Sequence, residues 1–186
     1  MTLDLTGSLL IATPAMGDPR FVRSVLYLCA HSAEGAFGLI LNRPVPGLRM
    51  GQVLGQVGLG EALPEALAQR RVLSGGPVEP QRGFVLHDGV ESEGQVLPEG
   101  LMLSASLDIL RDLAQGQGPG RWLLALGYAG WGAGQLESEL AQNAWLTVTA
   151  SPALIFDPAP GEHQWLAALR LLGIDPISLS AVAGRA

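Results

Sequence analysis

Apolar residues along the first forty positions come in short dense runs separated by glycine and proline, a pattern that predicts strands. "GSLLIAT" (7–13) and "SVLYLCAH" (24–31) read as two strands broken by "PAMGDPR". The second continues into "AFGLILN" (36–42) through Ser32, Ala33, Glu34 and Gly35, a connection short enough for a hairpin, and Pro44 and Pro46 should then stop the strand. Spacings of three and four at Met50, Val53, Leu54 and Val57 predict a helix over 49–57. Strands are expected at 71–76 and 82–88, with "GGPVEPQ" as the loop between them.

The second half is more helical. In "SASLDILRDLAQG" (104–116), Ser106 is placed to cap, Asp108 suits the positive end of the helix dipole, Leu107, Leu110 and Leu113 or Ala114 form a face, and Gly116 ends it. "RWLLALGYAG" (121–130) is apolar on both alternating faces and reads as a fully buried strand. A short helix over 134–143 with Leu136 and Leu140 inward precedes a strand at 144–150. A last helix over 162–173 carries Trp165, Leu169 and Leu172 on one stripe. The early hairpin breaks any strict βαβ repeat, so the expected fold class is mixed α+β.

The chain has 186 residues with no linker-like stretch, which suits one domain spanning 1–186. Mean hydropathy is +0.30, yet the longest weakly polar run, 122–134, is glycine-broken and too short to cross a bilayer. The N-terminus lacks the basic start of a signal peptide, and a lone cysteine forms no internal disulfide; both suit the cytoplasm and no membrane.

Net charge is −6, and all eleven basic residues are arginines, of which only Arg70 and Arg71 are adjacent. Nucleic-acid affinity draws on clustered positive charge, so direct DNA binding is disfavoured. The absence of lysine removes P-loop and Schiff-base chemistry.

Candidate chemistry is sparse. Alternation along 24–31 puts Tyr27, Cys29 and His31 on one face, with the Cα atoms of Cys29 and His31 about 6.5 Å apart. Cys29 is then either a small core hydrophobe or a thiolate stabilised by His31, Arg43 or Arg82. His31, His87 and His163 have no metal-ligand spacing, and no cofactor motif occurs. His87 is expected to end a strand and meet solvent or a backbone carbonyl.

"LGYAGWGAGQLESEL" (126–140) has the strand, turn and helix order of a phosphate site but neither glycine spacing, and Glu137 in the first helical turn would repel an anion. Close packing under Trp131, or a shallow ligand cleft, remain as readings. "SGGPVEPQRGFVLH" (74–87) is either a tight turn or a rim presenting Arg82 to an anion. No nucleophile elbow is present.

Six blocks in order, "PAMGDPRFVRSVLYLCAH", "GAFGLILNRP", "SGGPVEPQRGFVLH", "SLDIL", "ALGYAGWGAGQLESELAQNAWL" and "VAGRA", resemble the YqgE/AlgH family of bacterial proteins over almost the whole chain. The resemblance implies a cytosolic protein with a mostly antiparallel, barrel-like sheet and flanking helices. It supplies no reaction, and one branch carries the label of a transcriptional regulator of alginate synthesis.

The family motifs fall on Pro14, Asp18, Pro19, Ser24, Cys29, His31, Gly35, Gly38, Asn42, Pro44, Gly75, Gly76, Pro77, Arg82, Gly83, His87, Gly127, Tyr128, Trp131, Gly134, Gln135, Glu137, Asn143 and Trp145. Ala30 stands where relatives usually carry Glu, and Arg185 where they carry His. Asn42, Arg82, His87, Gln135 and Glu137 are the polar set expected to meet in one cleft. The expectation is a non-enzymatic regulatory protein that binds a small molecule or a protein partner. Its rival is a thiol-dependent enzyme or redox sensor built on Cys29.

Overall fold

The computed structural model describes residues 4–89 and 93–176. Strands β1 (Ser8–Ala12), β2 (Val25–Ser32) and β3 (Gly35–Ile40) open the chain, the last two as the expected hairpin. They are followed by β4 (Pro44–Arg49), α1 (Met50–Gln56), α2 (Glu65–Ala68), β5 (Arg71–Ser74) and β6 (Val78–Asp88). Next come β7 (Gln95–Val96), β8 (Leu101–Ser104), α3 (Leu107–Ala114) and β9 (Trp122–Gly132). The described chain closes with α4 (Gln135–Ala141), β10 (Trp145–Thr149), α5 (Pro152–Ile155) and α6 (Glu162–Leu171).

One curled sheet takes the order β10-β1-β2-β3-β9-β6-β8-β7, with β5 on β9 and β4 on β5. Every pair is antiparallel except β5 with β9, which gives the mixed α+β class with a barrel-like, mostly antiparallel sheet. Strand β9 is the spine, because its eleven residues pair with β3, β6 and β5. Among the described residues, no helix is long and apolar enough to cross a membrane.

The apolar runs are explained by burial on both faces. Along β2, Val25, Tyr27 and Cys29 enter a core closed by α5 and α6, while Leu26 and Leu28 enter a second core under α4. A third core packs α1 and α3 on β5, β6 and β9 through Met50, Leu54, Val72, Ile109 and Leu113. Each fully buried Leu or Ile contributes about 1.5–3 kcal/mol, so a strand feeding two cores needs no polar face. Trp122, Trp131, Trp145 and Trp165 are all core residues.

Three local expectations are corrected. Strand β3 stops at Ile40, ahead of Pro44 as expected, while Pro44 and Pro46 themselves lie in β4, which among the described strands pairs with β5 alone, and an edge strand tolerates residues without an N–H. Residues 78–81 belong to β6 and not to a loop, with an irregular register between Val78 and Gly83. Ser106 occupies the cap position of α3 without a side-chain cap bond. Leu107 is exposed, and Ile109 with Leu113 turns inward.

Tyr27 is fully buried and its hydroxyl has no hydrogen-bond partner among the described residues. A buried polar group left unpaired costs more than its removal. Tyr27→Phe should therefore be neutral or stabilising by about 1 kcal/mol, read as a rise of about 2–4 °C in Tm for a chain of this size. A clear loss of stability would mean that the hydroxyl has a partner.

Candidate functional site

Cys29 and His31 do not share a face. Between Leu28, opposite Gly38, and Ala30, opposite Phe37, strand β2 carries one extra residue, Cys29, so it bulges and its alternation shifts by one. Cys29 faces the core closed by α6, whereas His31 sits opposite Ala36, on the side packed under α4. The thiol is fully buried, its sulfur lies 3.8 Å from the Tyr27 carbonyl, and burial pushes its pKa well above the ordinary value.

His31 is held on both nitrogens. Its Nδ1 accepts from the Leu5 N–H at 3.1 Å and its Nε2 lies 3.0 Å from Glu137 Oε1, so the neutral Nε2–H tautomer satisfies both contacts. The His31 backbone N–H donates to Thr6 Oγ1 at 3.0 Å. The imidazole thus fastens residues 5–6 and α4 to the end of β2.

Glu137 is the exposed half of that contact. Its own backbone N–H in the first turn of α4 is the main cause holding its carboxyl below the usual range; desolvation opposes this, and the His31 hydrogen bond adds to it. The stabilisation is present above the ordinary carboxylate pKa and fades as pH falls through the depressed one. Carboxyl NMR titration of His31→Ala should move the Glu137 midpoint only part of the way back, because its amide remains; a full return would make His31 the main cause.

The other expected residues are scattered, and the five do not meet in one cleft. Asn42 is buried, its Oδ1 accepting from the Val25 N–H at 2.9 Å and its Nδ2 donating to the Arg23 carbonyl at 2.9 Å, which ties the end of β3 to the start of β2. Arg82 is exposed, 3.4 Å from Glu79 and over the Phe84 ring at 5.1 Å. His87 is buried on β6 with Nε2 2.9 Å from Ser104 Oγ and Nδ1 3.2 Å from the Asp88 carbonyl, so it meets a carbonyl and not solvent. Ser104 has no exposed surface, so this pair locks β6 to β8 and offers no accessible nucleophile.

The strand-turn-helix of 126–140 is a close-packing device. A Cβ on Gly127 (φ +73°) would stand 2.6 Å from the Gly76 carbonyl oxygen, which only glycine permits. Just beyond it lies a cleft of about 350 Å³, walled by Phe21, Trp131, Trp145, Pro77 and Val78, with Gln135 and Glu139 of α4 on one side and Asp18 and Arg20 on the other. Of the five expected polar residues only Gln135 reaches it; the 74–87 segment contributes Pro77 and Val78 to its rim in place of Arg82.

Glu139 organises this cleft, and sequence reading missed it in favour of Glu137. Its Oε2 accepts the indole N–H of Trp131 at 2.9 Å and of Trp145 at 2.7 Å, and its Oε1 accepts the Gln135 amide at 2.9 Å. Gln135 Oε1 in turn accepts from the Gly132 N–H at 3.0 Å. Phe21 stacks on Trp131 at 6.4 Å and meets Trp145 edge-on at 5.6 Å, while the two indoles cross at 6.1 Å. The available signal was the four-residue step from Gln135 to Glu139, which puts both on one helical face.

The loop bearing Phe21 is fixed from below. Arg43 donates to the carbonyls of Arg20 and of Val22, the latter at 2.9 Å. Asp18 and Arg20 pair at 2.7 Å, and that pairing holds the Asp18 carboxyl below the usual range. A second cavity of about 420 Å³ between α1, α3 and β6 is lined mainly by aliphatic side chains. Among the described residues no group of His, Cys, Asp and Glu could hold a metal ion.

The AlgH-like family model matches residues 9–177. The chain belongs to the AlgH-like family. This confirms the resemblance carried by the motif blocks. A UPF0301 protein of Cupriavidus metallidurans is 48% identical over 186 residues, covering 99% of this chain and 96% of the relative. Another, of Beijerinckia indica, is 52% identical and covers 98% and 92%.

The solution structure of the AlgH protein from Pseudomonas aeruginosa is 42% identical, with a TM-score of 0.79 over 100% of this chain and 96% of that one. A Corynebacterium diphtheriae crystal structure, 22% identical with a TM-score of 0.73 over 91% and 88%, shares the fold. Of the two departures from the AlgH-like pattern, Ala30 is half-buried opposite Phe37, and Arg185 lies outside the described residues.

Proposed function

We propose that this AlgH-like protein is a non-enzymatic regulatory protein whose ligand enters the cleft beneath Phe21, Trp131 and Trp145. The observation that carries this reading is Glu139: a partly buried carboxylate fixed by three neutral donors at the wall of an aromatic-lined cavity. Such fixed polar groups in an apolar wall orient ligands. The groups that would perform chemistry lie elsewhere, with the Cys29 thiol and the His87–Ser104 pair buried away from this cleft. Burial of Cys29 also weighs against the thiol reading.

The test is a fragment screen on the intact protein, read by NMR at the four indole N–H signals. Hits should move Trp131 and Trp145 and leave Trp122 and Trp165 in place. A broad screen that moves neither cleft indole, or robust turnover abolished by Cys29→Ser, would overturn the proposal.

A further inference from the structure

The geometry points to the charge class of the ligand: we infer that the cleft takes a small organic cation on a short apolar stem, with Glu139 as its counter-charge. The inference rests on reading the cleft as a binding site.

Three observations converge on it. Glu139 is held only by neutral donors, and none of the ion pairs among the described residues includes it. Neutral N–H groups fix a carboxylate in place but leave its charge uncancelled, and in a partly desolvated cleft that charge acts strongly on whatever enters.

The cation at the cleft, Arg20, is already committed. It donates from Nε and Nη2 to the Asp18 carboxylate, so Asp18 and Arg20 cancel and the lining keeps one net negative charge. Arg20 is also largely exposed, which leaves its own charge screened by water.

The third observation is the remaining valence of Glu139. Two indoles occupy Oε2, but among the described residues Oε1 accepts only from the Gln135 amide and retains one lone-pair direction. A guanidinium or ammonium group can donate there in a charge-assisted bond, while the adjoining aromatic rings attract the cation and cover its stem. An anion would meet the uncancelled carboxylate. The cavity of about 350 Å³ suits a small molecule.

The test titrates the intact protein with n-butylguanidinium, its neutral counterpart n-butylurea, and the anion pentanoate, read at the Trp131 and Trp145 indole N–H signals. Butylguanidinium should give saturable shifts, butylurea should bind at least about tenfold more weakly, and pentanoate should not bind. Glu139→Gln should erase the preference for the cation over the urea. The comparison of ligands on the unaltered protein stands even if that variant folds poorly.

Binding of butylurea or pentanoate as tight as that of the cation overturns the charge assignment and leaves the cleft a binding site. Silence of all three ligands beside a positive fragment screen does the same. Silence in both experiments overturns the cleft itself.

Discussion

Gly76→Ala is expected to cost at least about 4 kcal/mol, a large share of the roughly 5–15 kcal/mol that keeps a domain of ordinary stability folded. Gly76 lies between β5 and β6 at φ +156°, and a Cβ there would stand 2.1 Å from the carbonyl carbon of Tyr128 and 2.3 Å from the Ala129 nitrogen. Those atoms are backbone of β9, the strand that pairs with three others, so no side chain can move aside.

Gly47 supplies the control. It has φ +72° but nothing within 4 Å of the point where a Cβ would stand, so Gly47→Ala should cost only about 1 kcal/mol from backbone strain. Urea midpoints and soluble yield of the two variants measure the contrast. Equal midpoints would refute the close approach of the segment after β5 to β9.

Alkylation of Cys29 in the native protein should be at least about a thousandfold slower than in denaturant, since reaction has to wait for an opening whose equilibrium constant is set by folding stability. Burial both hides the sulfur and raises the thiol pKa, so the two effects act in the same direction. The native rate should also follow stability, rising in destabilised variants such as Gly76→Ala where these still fold. Fast native labelling that persists well below the free-thiol pKa of about 8.5 would instead place a stabilised thiolate within reach of solvent and restore the nucleophile reading.

The long strands and the four longer helices, α1 among them, were legible because their local pattern and burial agree. Strands β2 and β9 are apolar on both faces and are buried on both, and α1, α3, α4 and α6 lie where the spacing puts them. Shorter elements were not. The four-residue helices α2 and α5 and the two-residue β7 are too short for a periodic signal, and are held by what they pack on. Strand β8 supplies four buried residues to β6, yet its sequence merges into the approach to α3.

The candidate site divides in the same way. The sequence by itself determined the strands that are apolar on both faces and the apolar stripes of the longer helices, because each follows from the spacing of nearby residues; it left the glycines of 127–134 open between close packing and a ligand cleft, and it pointed to Glu137 although Gln135 and Glu139 stand four residues apart on one face of α4. Tertiary structure alone decided which polar groups meet. The bulge at Cys29 sends His31 to the opposite side of the sheet, and a bulge depends on the register with β3, not on the alternation within β2. Glu139 became the centre of the cleft only when β9, β10 and the loop before β2 brought two indoles and Phe21 around it. Local spacing fixes the direction in which a side chain leaves the backbone, whereas its partners are set by strand pairing across many residues.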